Sequence, residues 1–388
     1  MKILIISHGY PQTNAPLNGI FEFDQAKALK AYGHEVIFAS IDLRSIRRKR
    51  RFGKHWTKKE EIPIIDYSIP LGRFPDLILT FVGKLAIKSV YKDVVKRYGK
   101  PDILHAHFTM MGNIASVIRN KFNIPLIITE HNSAINEKNI PASFVRFAQN
   151  TYSQADRLIA VSSQLAYKIK SIWNFNSKVI HNIVDISIFN CENKNISDNF
   201  IFLSVGNLVH RKGFDLLINA FAHANFDDHV SLKIIGDGNL KENLQQQIDS
   251  LGLSSQVQLL GRMERDEIAE SMNDCDAFVL ASRAETFGVV YIEAMSAGLP
   301  VIATTCGGPE EFVTEGNGIL IPTENEEKLT EALIKMRQTA RKYDRQAISE
   351  ETRKKFAPQT IASQITEVYV DILNSKKIER KFNEKLNK

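Results

Sequence analysis

The chain opens with Lys2-Ile-Leu-Ile-Ile-Ser7, a short apolar run that breaks at His8-Gly-Tyr-Pro11. A run of this kind that stops at Gly and Pro is typical of a buried strand followed by a loop. Phe21–Tyr32 then has apolar residues at helical spacing and stops at Gly33, a common residue just after a helix. The order strand, loop, helix predicts the first unit of a parallel α/β sheet.

The alternation continues along the chain and starts again in its second half. Four further apolar runs are predicted strands of the first half: Val36–Ser40, Ile103–His107, Leu126–Thr129 and Arg157–Ser162. Five are predicted strands of the second half: Phe200–Gly206, Ser231–Gly236, Gln256–Gly261, Ala277–Ala281 and Pro300–Thr304. Helical spacing separates them, as in Phe214–Ala224 and Leu240–Leu251. Each half therefore has the pattern of a parallel sheet covered by helices.

The predicted fold class is α/β, with two Rossmann-like, doubly wound domains facing a central cleft. Residues 189–199 are almost free of apolar side chains and form the candidate linker. This gives an N-terminal domain of residues 1–184 and a C-terminal domain of residues 185–359. The last helix, about residues 360–388, is expected to cross back to the first domain. Ligands of such sheets bind beyond the carboxyl ends of the strands.

Charge and cysteine content narrow the function classes. The 388 residues include 50 Lys and Arg against 44 Asp and Glu, a net charge of +6, but Arg44–Lys59 alone has nine basic residues and no acid. Lys376–Lys388 is also basic, so the rest of the chain is net acidic, which argues against a nucleic-acid-binding protein. Three cysteines without close spacing exclude a disulfide framework and a zinc site. The N-terminal apolar run is shorter than the about 7–15 residues of a secretory signal, so the expected compartment is the cytoplasm.

The densest group of candidate functional residues is Glu285-Thr-Phe-Gly-Val-Val-Tyr-Ile-Glu293, which follows the predicted strand Ala277–Ala281. Gly288 lies where a helix should begin, and the unpaired N–H groups of a helix start attract phosphate. A carboxylate next to a phosphate site repels the phosphate, so its presence there indicates another role. Accepting hydrogen bonds from sugar hydroxyls is such a role. The alternative is that Glu285 caps the helix and Glu293 is solvated.

A second group is Gly206-Asn-Leu-Val-His-Arg-Lys-Gly213, between a predicted strand and a predicted helix. Arg211 and Lys212 in this loop can hold a diphosphate, because paired cations match its charge. A solvated turn is the alternative. Gly19, just before the first predicted helix, can likewise bring the backbone close to a phosphate.

Together these features resemble the retaining family 4, or group 1, glycosyltransferases of the GT-B fold, of the bacterial surface-polysaccharide type. The resemblance covers almost the whole chain, and its most specific part is the E-x7-E motif from Glu285 to Glu293. Supporting matches are Gly33-His-Glu-Val36, Asp102–His107, Gly236-Asp-Gly238 and Gly307–Glu311. It implies transfer of a hexose or N-acetylhexosamine from a nucleotide-diphosphate sugar, UDP favoured over GDP, to a hydroxyl of a glycan or lipid-linked acceptor in cell-surface polysaccharide synthesis.

The resemblance also implies residue roles. Glu285 would contact the donor sugar as a catalytic residue, Glu293 the nucleotide ribose, and His107 would organise the sugar as the second catalytic residue. The other implied donor-binding residues are Gly19, Asn207, Arg211, Lys212, Met263 at the base, Thr286, and the backbone of Phe287, Gly288 and Val289 at the diphosphate. His131 is the acceptor-side candidate. Asn207 stands where the family often has Arg, and Arg211 is the candidate to supply the missing charge.

No divalent metal and no other cofactor is expected, since the nucleotide sugar is a substrate. Asp274-Cys-Asp276 has the spacing of the metal motif of another glycosyltransferase fold, but it precedes the strand Ala277–Ala281 and so lies at the strand's amino end. Two alternative functions stay open. One is a sugar-nucleotide 2-epimerase, which needs no acceptor. The other is a non-catalytic nucleotide-sugar-binding subunit, and Asn207 in place of the family's Arg is the feature that favours it.

The basic run Arg44–Lys59 is predicted to be a loop, because it follows the second predicted strand. Leu77–Tyr91 is an apolar, helix-like stretch that carries Lys84 and Lys88. Basic and apolar residues together suit the surface of an anionic membrane, whereas a core helix and a solvated loop are the alternative. We therefore expect a peripheral position on the inner face of the cell membrane, through Arg44–Lys59, and a lipid-linked acceptor.

Overall fold

A computed structural model describes residues 1–13, 15, 17–47, 50–72, 74–136, 139–192 and 198–386. The chain forms two compact units: unit 1 comprises Met1–Ile183 with Pro358–Lys388, and unit 2 comprises Val184–Ala357. Parts of three predicted segments lie outside the described residues: 48 and 49 of the basic run, 193–197 of the linker, and 387–388 of the basic tail.

The described strands of unit 1 form one sheet. Their bounds are β1 (Lys2–Ser7), β2 (Glu35–Asp42), β3 (Gly53–Lys59), β4 (Ile62–Ser68), β5 (Ile103–His107), β6 (Leu126–Glu130), β7 (Arg157–Ala160) and β8 (Lys178–Val179). The order across the sheet is β3-β4-β2-β1-β5-β6-β7-β8, and every neighbouring pair is parallel except β3–β4. The helices before residue 184 are α1 (Ile20–Ala31), α2 (Asp76–Tyr98), α3 (Phe108–Phe122), α4 (Ala142–Tyr152) and α5 (Ser163–Trp173).

The described strands of unit 2 form a second, wholly parallel sheet. They are β9 (Phe200–Val205), β10 (Val230–Ile235), β11 (Val257–Gly261), β12 (Ala277–Leu280), β13 (Val301–Thr304) and β14 (Gly318–Ile321). They lie in the order β11-β10-β9-β12-β13-β14. The helices are α6 (Phe214–His223), α7 (Lys241–Ser250), α8 (Arg265–Asp274), α9 (Val289–Ser296), α10 (Glu326–Thr339) and α11 (Arg345–Phe356).

The last helix, α12 (Pro358–Leu386), belongs to unit 1. Its buried residues Ile365, Tyr369 and Ile372 share a core with residues of β1 and α1. The Tyr369 hydroxyl lies 2.6 Å from Nδ1 of His105 on β5. Because both groups are buried, this hydrogen bond fixes the helix against the sheet.

Both sheets confirm the predicted α/β class with two Rossmann-like units. The strands are nearly continuous apolar runs because helices cover both faces of a parallel sheet. In each sheet the order of the strands reverses once, between β1 and β5 in unit 1 and between β9 and β12 in unit 2. Loops that leave the carboxyl ends of the two strands at such a reversal diverge and open a ligand site.

The prediction that Arg44–Lys59 is a loop is wrong for its second half. Gly53–Lys59 is the edge strand β3, antiparallel to β4. The turn between them consists of Glu60 and Glu61, both with positive φ (47° and 61°). Two central residues of positive φ are what a tight hairpin turn needs, a role usually taken by Asn-Gly. Because glutamates occupy these two positions, the hairpin could not be recognised from the usual turn residues.

Much of the charge of that run is paired inside unit 1. Asp42, at the end of β2, binds Arg44 through Nη2 at 2.7 Å and Arg50 through Nε at 2.7 Å. Lys54 on β3 reaches Asp93 of α2 at 2.6 Å. Carboxylates outside the run therefore neutralise Arg44, Arg50 and Lys54.

Candidate functional site

The strand reversal of unit 2 brings together the two loops in which the sequence predicts donor-binding residues. The Arg283 N–H donates to the Arg211 carbonyl at 2.8 Å, so the loop after β12 contacts the loop after β9. Gly213 makes this approach possible. It has φ +67°, and a Cβ at this position would lie 1.9 Å from the Ala281 carbonyl oxygen, so only glycine fits.

Glu285 is the buried centre of this contact, with 5% of its surface exposed. Its Oε1 accepts hydrogen bonds from Lys212 Nζ at 2.5 Å and from Ser282 Oγ at 2.8 Å. Arg211 Nη1 lies 3.8 Å from its Oε2. Burial alone would raise the pKa of Glu285, but the charge and hydrogen bond of Lys212, with Arg211 and Ser282, outweigh burial and lower this pKa. Glu285 is therefore an ionised carboxylate between two cations, not a simple helix cap.

The segment after Glu285 leads into a helix start. Thr286 is half-buried, and Phe287 is buried against the rings of Phe312 and Phe356, at 5.3 and 5.6 Å between centroids. Gly288 is the N-cap of α9, and Val289 is its first residue. The first N–H groups of a helix have no partner within it and carry partial positive charge. Such a start, close in sequence to Glu285, can receive an anion.

The other predicted donor residues have contacts of their own. Glu293, on α9, accepts a hydrogen bond from Arg265 Nη2 at 3.0 Å, and both side chains are mostly buried, so the solvated alternative does not hold. Met263 is half-buried, and its sulfur accepts a hydrogen bond from Ser271 Oγ at 3.9 Å. Asn207 is exposed at the start of its loop.

The strand reversal of unit 1 gathers a second group of polar side chains. His8 follows β1, and its Nδ1 lies 3.3 Å from Oε1 of Glu22 on α1. The Ser7 hydroxyl donates to the same carboxylate at 3.0 Å. Burial alone would lower the pKa of His8, but the hydrogen bond and charge of Glu22 outweigh burial and raise it. His8 is partly exposed, so part of its imidazole is accessible to solvent.

His107 and His131 form the other half of this group. His107 is fully buried at the end of β5; its Nδ1 lies 3.0 Å from Nε2 of His131, and the two rings stack at 5.3 Å. Burial, with the nearby His105 and His131, lowers the pKa of His107 well below its usual value. Burial also lowers the pKa of His131, to about 4. Both rings are therefore neutral at pH 7, with His107 Nε2 and His131 Nδ1 buried and unpaired within the described residues.

Backbone strain lies next to His107. Phe108 has φ +68°, a conformation rare for a residue with a bulky side chain, and its ring packs against His8 and His131 at 5.4 and 5.1 Å. Such strain costs of order 1–3 kcal/mol and clusters at functional sites. Glu130 fixes the neighbouring turn, because its Oε1 accepts the backbone N–H groups of His131 and Asn132 at 3.0 and 2.9 Å.

Gly19, predicted at the donor phosphate, lies in unit 1. It is the N-cap of α1 with φ +66°, and a Cβ there would lie 2.2 Å from the Gly9 carbonyl oxygen. The close approach ties the start of α1, and with it Glu22, to the loop that carries His8. Gly19 therefore shapes the His8–Glu22 pair.

Neither a metal site nor a membrane span is found in the part of the chain that the structure describes. No group of three or more His, Cys, Asp or Glu there is arranged to hold a metal ion. In the Asp274-Cys-Asp276 motif, the Asp276 carboxylate accepts the Ile201 N–H at 2.8 Å, so it caps a strand. No described helix combines the length and apolar character of a bilayer span.

Sequence reasoning missed His8, Glu22, Ser282 and Arg265. Three of these could have been found from their positions in the sequence. His8 and Ser282 directly follow predicted strands, at the end where ligands bind. Glu22 lies in the first turn of α1. Arg265 had none: it is the first residue of α8, and only the folded unit shows that it reaches Glu293.

Two family models match adjoining parts of the chain. Residues 188–355 match the model described as glycosyl transferases group 1, and residues 23–188 match the model described as glycosyltransferase family 4. An uncharacterised glycosyltransferase of Methanocaldococcus jannaschii is 32% identical over 252 residues, 64% of this chain and 68% of that protein.

Other similar proteins extend over most of the length. A putative teichuronic acid biosynthesis glycosyltransferase of Bacillus subtilis is 26% identical over 362 residues, 86% of this chain and 89% of the relative. Among solved structures, HepE of Anabaena in complex with UDP and glucose superposes with a TM-score of 0.74 at 22% identity, covering 96% of this chain and all of that one. At that identity the likeness concerns the fold.

Proposed function

Because the chain belongs to the family 4, group 1 glycosyltransferases, we propose that it moves a hexose or N-acetylhexosamine from a nucleotide-diphosphate sugar to an acceptor hydroxyl. UDP is favoured over GDP, since HepE, of the same fold, binds UDP. The acceptor is a glycan or lipid-linked sugar of cell-surface polysaccharide synthesis, as the Bacillus subtilis relative suggests. The observation that carries the proposal is the ionised, buried Glu285 held between Lys212 and Arg211.

The donor belongs to unit 2. Its diphosphate carries more negative charge than the single carboxylate that Lys212 and Arg211 bind in the free protein. It therefore competes for these cations and for the N–H groups at the start of α9. Displaced from Lys212, Glu285 becomes available to accept hydrogen bonds from the sugar hydroxyls. Glu293, oriented by Arg265, is the candidate partner of the ribose hydroxyls.

The reaction we propose retains the anomeric configuration. The bond between the anomeric carbon and the diphosphate oxygen breaks, the acceptor oxygen bonds to the same face of that carbon, and the acceptor proton passes to an oxygen of the leaving diphosphate. Lys212, Arg211 and the α9 N–H groups stabilise the charge that grows on the leaving group, an effect of about 10²–10³-fold per donor.

Removal of divalent metal is expected to leave transfer unchanged. In the proposed site, Lys212 and Arg211 supply the positive charge that a metal ion supplies in other transferases. The measurement is the rate of UDP release with and without excess EDTA. A drop of more than about tenfold that Mg²⁺ or Mn²⁺ restores would contradict the metal-independent mechanism.

The acceptor belongs to unit 1. His107 is proposed to organise the sugar, and its buried Nε2 has no hydrogen-bond partner within the described residues. His131 and the pair His8–Glu22 complete the acceptor side, with the partly exposed His8 offering Nε2 to an acceptor hydroxyl. A lipid-linked acceptor would place the reaction at the inner face of the cell membrane.

The pairing of His8 with Glu22 predicts a specific titration. The lowered pKa of Glu22 stabilises the fold above pH 4.5, and this contribution is lost as the pH falls through the lowered pKa. The raised pKa of His8 stabilises the fold below pH 6.5, and this contribution is lost as the pH rises through the raised pKa. Arg44 opposes the His8 shift and Asp42 supports it. Glu22→Gln should lower the His8 pKa below 6.5, read from histidine ring signals by NMR. His34, bonded to Thr366, serves as the control and should titrate unchanged.

Product analysis tests the proposed function directly. The protein is incubated with isotope-labelled UDP-glucose, UDP-galactose or UDP-N-acetylglucosamine and a bacterial lipid extract, and the products are separated by mass spectrometry. We expect labelled sugar joined to a lipid or glycan. A rearranged nucleotide sugar without any joined product would indicate the epimerase, and binding without turnover would indicate the silent subunit; either result would overturn the proposal.

A further inference from the structure

Helix α2 has two apolar faces, and unit 1 covers one of them. The buried residues are Thr80, Gly83, Ala86, Ile87, Val90, Tyr91 and Val94. Leu77, Phe81 and Leu85 are 82%, 64% and 51% exposed. Residues at i, i+4 and i+8 follow one another along a single helix face, so these three form an apolar stripe. Large side chains this exposed and this close together mark an interaction surface.

Two lysines belong to the same stripe. Lys84 and Lys88 lie one turn beyond Phe81 and Leu85 respectively, and neither has an ion pair among the described residues. Lys84 is half-buried and Lys88 is exposed; burial and the charge of Lys88 lower the pKa of Lys84. Between residues 74 and 92 the sequence has one acid, Asp76, at the first position of α2. The stripe is therefore apolar at its start and cationic where it continues.

The apolar surface extends from α2 onto the neighbouring sheet edge. A groove of about 450 Å³ lies between them, with Val82, Leu85 and Ala86 on the helix side and Phe52, Tyr67 and Pro70 on the other. Phe52 is 43% exposed, and Ile46 in the preceding segment is 66% exposed. Arg47 and Arg51 flank these two residues and are exposed as well.

We propose that the α2 surface, defined as Leu77, Phe81, Lys84, Leu85 and Lys88 with the adjoining groove, docks on an anionic phospholipid bilayer. The apolar side chains enter the boundary between headgroups and acyl chains, and the lysines bind headgroup phosphates. This rests on the proposed lipid-linked acceptor.

Charge selects the bilayer over a second copy of the chain. A symmetric dimer contact is self-complementary, so each residue of the surface faces the same surface of the partner. Two cationic stripes would then meet with no acid between them. An anionic bilayer instead supplies the missing negative charge. Within Arg44–Lys59, Arg44, Arg50 and Lys54 are already paired with carboxylates, so the α2 surface is the main docking element.

Vesicle co-sedimentation tests the proposal on the full chain. Wild-type protein should sediment with vesicles of phosphatidylglycerol and phosphatidylcholine, less with pure phosphatidylcholine, and less at high salt. Lys84→Gln with Lys88→Gln should weaken binding about 30-fold, since each lysine near an anionic surface contributes about 1 kcal/mol. Leu77→Ser with Phe81→Ser should weaken it at least as much, because two large apolar groups no longer leave water.

Matched controls come from other helices of unit 1. Tyr167→Ser removes a side chain that is 70% exposed on α5, and Lys121→Gln with Lys170→Gln removes two exposed charges; both should bind vesicles like wild type. The proposal fails if wild type does not sediment with phosphatidylglycerol, or if the α2 variants and the controls bind equally. It also fails if light scattering shows a dimer that Phe81→Ser dissociates. UDP-glucose binding, measured on the same proteins, reports separately on the transferase function.

Discussion

Replacing Glu285 with glutamine is expected to lower sugar transfer by about 10²–10³-fold while leaving UDP affinity equal or higher. The exchange keeps the side-chain volume but removes the charge that faces the sugar as the anomeric carbon becomes positive, an electrostatic effect of that size. UDP affinity should not fall, because Lys212, which binds Glu285 at 2.5 Å, loses a competing carboxylate. The measurement is kcat for UDP release beside a calorimetric titration with UDP.

Two further variants separate this role from a structural one. Glu285→Ala should lose transfer at least as completely, yet it also leaves the mostly buried Lys212 without its partner, which destabilises a fold by about 3–5 kcal/mol in a well-buried pair. Glutamine is therefore the decisive variant. Glu293→Gln should instead weaken UDP binding with a smaller change in kcat. Normal transfer by Glu285→Gln would remove Glu285 from the donor site.

Replacing Lys212 with glutamine is expected to lower both kcat and UDP affinity. Lys212 is the cation closest to Glu285, and only 14% of its side chain is exposed, so its charge acts where water screens it least. Loss of one such group from a leaving diphosphate costs about 10²–10³-fold in rate. Steady-state kinetics with UDP-glucose and calorimetry with UDP measure the two effects.

Arg211→Gln provides the matched comparison. Arg211 lies 3.8 Å from Glu285, and 36% of its side chain is exposed, so we expect a smaller loss than for Lys212. Combining Glu285→Gln with Lys212→Gln should cost less than the sum of the two free-energy changes, because directly contacting groups are not independent. Equal and additive effects of all three variants would contradict the arrangement seen in unit 2.

The sequence predicted most of the strands because each is an apolar run that ends in polar or glycine-rich residues. The strands and helices that were predicted from Phe200 onward begin and end within two residues of their limits in the structure. The hairpin β3–β4 escaped prediction because β3 is lysine-rich and lies at the sheet edge, where a strand need not be apolar on both faces. Its turn of two glutamates gave no glycine or asparagine signal.

The candidate site was predictable where its residues lie in loops that directly follow apolar strands. Glu285, Arg211 and Lys212 lie just after predicted strands, and the strand order brings their loops together. The sequence contained both loops but could not show that Lys212 and Arg211 bind Glu285 in the free protein. It also could not reveal the His8–Glu22 pair, because the contact depends on how Gly19 turns the chain into α1.

Unit 2 is proposed to bind a nucleotide sugar through Lys212, Arg211 and Glu285. A thermal-shift titration of wild type and Lys212→Gln with UDP-glucose, UDP-galactose, UDP-N-acetylglucosamine and GDP-mannose tests it most directly. A ligand at 100 times its Kd stabilises the folded state by about 2.7 kcal/mol. We expect such stabilisation of wild type by a UDP-sugar and little for Lys212→Gln. A wild-type protein that no nucleotide sugar stabilises, or a Lys212→Gln variant stabilised equally, would rule out this donor site.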